Sequence, residues 1–111
     1  MIYELRVYKC NQGRLDDLLA RFESPVLQIW NELGIQTIGF WTSESLVEDK
    51  PMDELVYLLR WASHDERKQK MAEFLKDPRW LQARDDSEKN GKLVDSFTSK
   101  DLQPASFSGL K

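Results

Sequence analysis

The segment Glu54–Trp61 limits what this chain can fold into more than any other. Read as a strand, it sets Leu55, Tyr57, Leu59 and Trp61 on one face and Val56, Leu58 and Arg60 on the other, because successive side chains of a strand point to opposite sides. Both faces are then largely apolar, and a strand of that kind needs a cover on each. The remaining segments must supply one cover and some means of obtaining the second.

Ile2–Lys9 also alternates, with Tyr3, Leu5 and Val7 on one side and Ile2, Glu4, Arg6 and Tyr8 on the other, which predicts a first strand with one oily and one mixed face. Beyond Asn11, Gln12 and Gly13, the residues Leu15, Leu18, Leu19, Phe22, Val26, Ile29, Trp30 and Leu33 recur at spacings of three and four, the pattern of a long amphipathic helix. Pro25 lies inside that pattern. It lacks an amide donor and crowds the preceding turn, so a kink or brief break is expected near Glu23 or Ser24. Gly34 supplies the left-handed residue that ends helices. From Ile35 to Glu44 the β-branched and aromatic residues predict a second strand, in which Gly39 marks a bulge or a close backbone approach.

Ser45–Asp53 is acidic and holds Pro51, and is expected to be a surface loop leading into the strand at Glu54. Ser63 and Glu66 form a capping box that opens a helix through Met71, Phe74 and Leu75. Asp77 and Pro78 restart it as cap and first-turn residue, and Gly91 ends it. Lys92–Thr98 predicts a fourth strand, and Leu102–Lys111 a Pro/Ser/Gly tail with Phe107 as its aromatic anchor.

The order is therefore β-α-β-β-α-β: an α+β, ferredoxin-like domain over residues 1–101 with a four-stranded antiparallel sheet, followed by a tail, 102–111, that packs on the domain or on a partner subunit. Right-handed crossovers put the first and third strands at the centre and both helices on one side. The other side would expose more contiguous apolar area than monomers usually carry. A second copy packed face to face about a two-fold axis covers it, giving a dimeric α/β barrel. The alternative cover is the chain's own tail, through Phe107 and Leu110. The expectation is a homodimer, with higher assembly left open.

Charged residues make up 32% of the chain and the net charge is −3, a balance that argues against a polyanion-binding surface and hence against nucleic acid as partner. Cys10 is the only cysteine, so no intrachain disulfide is possible. With no signal-like amino terminus, a reducing cytoplasm is the expected location. Apolar runs of a few residues fall far below the ~20 needed for a membrane span.

Three groups of residues carry the chemistry available. Glu4, Arg6 and Tyr8 share one side of a central strand, and with Tyr3, Leu5 and Val7 facing the helices they would point into the space between two sheets. Buried charges must pair, so the triplet is either a structural ion pair that fixes register or a polar floor on which Arg6 binds an anion or carbonyl and Tyr8 donates a proton or hydrogen bond. Trp41, Tyr57 and Trp61 would wall the same space, as ordinary interface core or as flat surfaces for a cyclic ligand. His64, the only histidine, rules out a multi-histidine metal site. It is either simply exposed at its helix start or an acid/base group or haem ligand at a cavity mouth, and no second feature supports haem. Cys10 reads as structural. Catalytic candidates are thus Glu4, Arg6, Tyr8 and His64, and ligand-binding candidates Arg6, Tyr8, Trp41, Tyr57 and Trp61, with no metal and no cofactor expected.

Several stretches resemble the NIPSNAP family in type and order: Tyr3-Glu4-Leu5-Arg6-Val7-Tyr8 followed by Gly13, Gly39-Phe40-Trp41-Thr42, Val56-Tyr57-Leu58-Leu59-Arg60-Trp61, Asp65-Glu66-Arg67 and Asp77-Pro78-Arg79-Trp80. The tail, Leu102-Gln103-Pro104-Ala105-Ser106-Phe107-Ser108-Gly109-Leu110, is similar to the Pro-x-x-Phe-Ser-Pro-Leu ending of such domains, with Gly109 in place of proline. The resemblance implies a dimeric α/β barrel and no particular activity, since the family has no common established reaction. Tyr57 and Leu59 stand where members often have histidine and tryptophan, so no role resting on that histidine carries over. Two functions stay open: a protein that binds or converts a small cyclic or carbonyl metabolite without a prosthetic group, and a non-catalytic dimerisation or protein-interaction module with a solid core.

Overall fold

Two strands, β1 (Ile2–Cys10) and β3 (Lys50–Trp61), run antiparallel through the middle of a four-stranded sheet in a computed structural model that describes residues 1–111. β2 (Gln36–Val47) lies outside β3 and β4 (Val94–Leu102) outside β1, both antiparallel to their neighbours, giving the order β2-β3-β1-β4. Helices α1 (Leu15–Arg21), α2 (Leu27–Leu33), α3 (His64–Lys76) and α4 (Pro78–Ser87) complete the β-α-β-β-α-β plan expected from the sequence. None of them is long and apolar enough to cross a membrane.

Local signals act where the sequence puts them. The long amphipathic pattern breaks at Phe22–Val26, around Pro25, where Ser24 is extended (φ −155°, ψ 120°). This break separates α1 from α2 while both keep their apolar stripe on the sheet. Gly34, at φ 75°, closes α2. Ser63 Oγ accepts from the Glu66 amide at 3.1 Å, and Glu66 Oε1 accepts in return from the Ala62 amide at 3.2 Å. Asp77 accepts from the Arg79 amide at 2.8 Å with Pro78 at the first helical position. The pairing of β2 with β3 shifts register between Thr37 and Gly39, the expected bulge, and a Cβ on Gly39 would sit 2.7 Å from the Trp41 ring, so the glycine makes room for that ring and not for another backbone.

Ser45–Asp53 is not a loop. Leu46 pairs with Pro51 and Val47 with Lys50, so β2 and β3 continue as a two-stranded arm to a tight turn at Glu48 and Asp49, both at positive φ (51° and 64°). Proline is tolerated there because β1 reaches only to the Lys9–Glu54 pair, leaving the start of β3 with a free edge. The fourth strand likewise runs later than expected, to Leu102.

One larger correction concerns the faces of β1. Glu4 lies beside Leu59, Arg6 beside Tyr57 and Tyr8 beside Leu55, and those β3 residues belong to the core that packs against Leu18, Phe22, Ile29, Trp30 and Phe74 of the helices. Glu4, Arg6 and Tyr8 therefore point toward the helices. Tyr3, Leu5 and Val7 lie on the bare face with Val56 and Leu58. Burial of Leu18, Ile29 and Leu59, all without exposed area, stabilises this layer by about 1.5–3 kcal/mol each.

On the bare face Trp41 shares its side with Val56, opposite to Tyr57, and is 53% exposed. The tail runs back beside Tyr3 and Leu58, yet Phe107 is 92% exposed and Leu110 about half exposed. The chain's own tail thus covers this side only near Tyr3 and Leu58 and leaves Trp41 exposed.

Candidate functional site

Ionic groups between a sheet and its helices must find partners within the chain, and β1 provides them. Glu4, with its side chain 3% exposed, accepts from Arg6 Nε at 2.8 Å, from Trp61 Nε1 at 3.0 Å and from Ser99 Oγ on β4 at 2.6 Å. Arg67 of α3 adds its charge at 3.7 Å and is itself held by Asp101 through two hydrogen bonds. Burial alone would raise the proton affinity of the Glu4 carboxyl, but the Ser99 and Arg6 hydrogen bonds, the Arg6 charge and Trp61 outweigh it and hold the group below the usual carboxylate value.

Arg6 continues the chain toward two tyrosines. Its Nη1 donates to Tyr57 Oη at 3.2 Å and to Tyr8 Oη at 3.3 Å, and the two hydroxyls are 2.7 Å apart. Burial pushes Tyr57 well above the ordinary tyrosine value, with Tyr8 adding and Arg6 opposing. Burial also works against the Arg6 charge, but Tyr57, Tyr8 and Glu4 more than offset it, so the guanidinium keeps its proton more tightly than usual. Because both hydroxyls accept from Arg6, one donates to the other and a single O–H hydrogen remains. Tyr57 is wholly buried, whereas Tyr8 borders a cavity, so that hydrogen is available at Tyr8.

The cavity lies between β1 and the helices and measures about 120 Å³. Arg6 and Tyr8 form its sheet side, Phe22 and Trp30 the wall from the first helical pair, Phe74 and Trp80 the wall from the second. Eight of its ten lining residues are apolar. Larger clefts occur at the base of the β2–β3 arm, between α1 and α4, and under the tail beside Tyr3 and Leu58; the first two have two apolar residues among nine, and the third, with six, has no charged side chain in its lining.

Of the residues singled out by sequence, Arg6, Tyr8 and Tyr57 come together at this cavity, and Glu4 and Trp61 stand behind them as support. Trp41 does not join Tyr57 and Trp61, since it lies on the opposite face of the sheet. His64 does not border the cavity. It is 64% exposed, with Nδ1 3.0 Å from Arg67 Nη2, at the outer end of the chain Glu4–Arg67–Asp101. Cys10 is buried, and burial with Asp53 and Glu54 nearby raises its thiol pKa, consistent with a structural role. Sequence reasoning missed Arg21, Ser99 and Arg67. Arg21 had one signal available, its place three residues after Leu18 and one before Phe22, at the margin of the apolar stripe. Ser99 and Arg67 had none, because only the register of β4 and the docking of α3 bring them to Glu4.

A model of the NIPSNAP family matches residues 3–109. The chain belongs to the NIPSNAP family. A NIPSNAP family protein of unknown function from Agrobacterium tumefaciens is 28% identical and superposes with a TM-score of 0.77, the match covering 100% of this chain and 94% of that one. An uncharacterized NIPSNAP-like domain protein from Burkholderia xenovorans matches at 22% identity and a TM-score of 0.78, over 96% of this chain and 87% of its own. A putative antibiotic biosynthesis monooxygenase from Chloroflexus aurantiacus shares the fold at 13% identity and a TM-score of 0.52, with both chains fully covered. No curated protein matches. These NIPSNAP relatives thus establish family and fold and leave activity to be argued from the site.

Proposed function

We propose that this NIPSNAP protein binds or converts a small cyclic or carbonyl-bearing molecule, without a prosthetic group, in the cavity between its helices and its sheet. The observation that carries this reading is the convergence of Arg6 and an uncommitted Tyr8 hydroxyl on an otherwise apolar, aromatic-walled space. Arg6 orients an oxygen of the ligand, and Tyr8 donates a hydrogen bond to it or, if a reaction follows, a proton. Glu4, Trp61 and Ser99 hold Arg6 in place and do not touch the ligand. A space of this kind favours ligand binding over an interaction module with a solid core.

Thermal melting across a panel of single-ring ketones, lactones, phenols and acids tests the proposal. At least one class is expected to raise the melting temperature of the native chain, and the gain to shrink in Tyr8→Phe while persisting in Trp41→Ala. Shifts untouched by Tyr8→Phe but abolished by Trp41→Ala would place the ligand on the other side of the sheet and end the proposal.

A second copy of the chain belongs to the same reading. Leu5, Val7 and Val56, half-buried, and the exposed Trp41 form an apolar face that the tail covers only at its Tyr3–Leu58 end, and a homodimer through that face removes the rest from water. The lone cysteine fits a cytoplasmic setting for such a dimer. Native mass spectrometry should report two subunits, and a single subunit at micromolar concentration would refute the dimer.

A further inference from the structure

Two large apolar side chains stand in water where a dimer through the outer face would not shelter them. Phe97 of β4 is 60% exposed and Leu75 of α3 is 53% exposed. Phe97 pairs with Tyr8 across the sheet, so it lies on the side of the helices, and its ring meets the Tyr8 ring edge-on at 5.5 Å. Tyr8 borders the cavity from the sheet and its ring lies 6.3 Å from that of Phe22, so it joins the cavity wall to Phe97. Leu75 borders the same cavity from α3. The apolar lining therefore continues outward past Leu75 and, by way of Tyr8, onto the edge strand.

The placement of the helices leaves this strip bare. Helices α1 and α3 pack on β3, while β4, at the edge of the sheet, takes no comparable cover, and Asp95 to Asp101 are all exposed. On the inner side of that strand Ser99 donates to Glu4 and Asp101 accepts from Arg67, which commits their polar atoms within the chain. Phe97 is the apolar surface left there, and a ligand that covers it gains by removing that area from water. Size sets the shape of such a ligand. A dry cavity of roughly 150 Å³ holds a benzene ring, so about 120 Å³ encloses a narrow group whole and a ring only in part. A molecule that takes the uncommitted Tyr8 hydrogen and covers apolar surface both inside the cavity and along Phe97 is long and not broad.

Resting on the cavity assignment proposed above, we infer that the ligand is an open-chain carbonyl compound whose oxygen accepts from Tyr8, with one part of its hydrocarbon enclosed among Phe22, Trp30 and Phe74 and the remainder crossing Leu75 and Phe97. Calorimetric titration of the full chain with the methyl ketones pentanone, heptanone and nonanone reads chain length directly. Affinity is expected to rise by about threefold for each added CH₂, the gain from covering a methylene on a surface that stays partly open. Phe97→Ser is expected to leave pentanone binding as it was and to flatten the rise, so that nonanone binds no more than about threefold tighter than pentanone. Should Phe97→Ser melt abnormally, Leu75→Ser is expected to reduce the rise in the same way. A flat series in the native chain would overturn the extended ligand and leave the cavity assignment standing. A rise that survives both substitutions would place the hydrocarbon elsewhere and overturn it too. Failure of every ketone to bind at millimolar concentration would overturn both the inference and the cavity assignment.

Discussion

The two faces of one sheet are built on opposite plans. Toward the helices, β1 presents Glu4, Arg6 and Tyr8, and almost every polar atom there is bonded to Tyr57, Trp61 or Ser99. Toward the outside, the same strand presents Tyr3, Leu5 and Val7 beside Leu58 and Val56, where the Tyr3 hydroxyl and Arg60 Nε are buried without partners. The usual arrangement, oily inside and polar outside, is inverted along β1, while β3 beside it keeps Leu55, Tyr57, Leu59 and Trp61 in the core. A polar network in a core is kept only when its members satisfy one another, so it signals a site or a register device; an apolar outer face is kept only when something covers it.

The largest effect expected from disturbing this contrast comes from the inner face. Glu4→Ala leaves Arg6 charged, buried and short of its main acceptor, and is expected to cost about 3–5 kcal/mol in urea unfolding. Replacing both, as Glu4→Leu with Arg6→Met, should restore most of that loss and abolish ligand-induced melting shifts; a double variant as unstable as the single one would mean the pair is not the unit described here. On the outer face Leu58→Asp should leave the fold intact and shift native mass spectra from two subunits to one. Unfolding of Leu58→Asp at low temperature, with no folded single subunit, would show that the two faces are not separable.

Acid provides a gentler probe of the inner network. Glu4 titrates below its ordinary value in the folded chain, so its contribution is fully present above the unfolded carboxylate pKa of about 4.3 and is lost as pH falls through the lower, folded value. The stability of the native chain should decline with pH in that acid range, and the slope should be shallower in Glu4→Gln. Equal slopes would remove Glu4 from the acid response. Smaller than the Glu4→Ala effect is that of Tyr57→Phe, expected to cost about 1.5–3 kcal/mol because the lost hydroxyl accepts from the charged Arg6. It also leaves Tyr8 to donate or accept differently, so its ligand response should change more than its stability.

The order of the elements was legible because it rests on local chemistry: Pro25 breaks a helix, Gly39 makes room for the Trp41 ring, and Ser63 and Asp77 cap the helices they precede. The two-sided apolar strand was equally legible, and the need for a second cover followed from it. The facing of β1 was not. Tyr3, Leu5 and Val7 look like the buried set when read alone, and the reversal depends on Arg6 lying beside Tyr57 and Glu4 beside Trp61 and Ser99, contacts that join positions 51 to 95 residues apart. The β2–β3 arm was misread because its acidic residues and Pro51 suggest a loop, and its turn, Glu48–Asp49, lacks the glycine that usually marks a two-residue hairpin. Trp30 and Arg21 escaped notice for a related reason: one counts as apolar and the other as surface charge until the helices dock and leave their N–H groups enclosed.

The siting of the ligand within each subunit, and not between the sheets of a pair, is open to a direct reading. The chain has four tryptophans, and their indole N–H signals report different places: Trp30 and Trp80 border the cavity, Trp61 is tied to Glu4, and Trp41 lies on the outer face. In a ¹H–¹⁵N titration with whichever ring compound raises the melting temperature most, the Trp30 and Trp80 indole signals should move and that of Trp41 should stay in place. Movement of Trp41 with Trp30 and Trp80 unmoved would contradict the account.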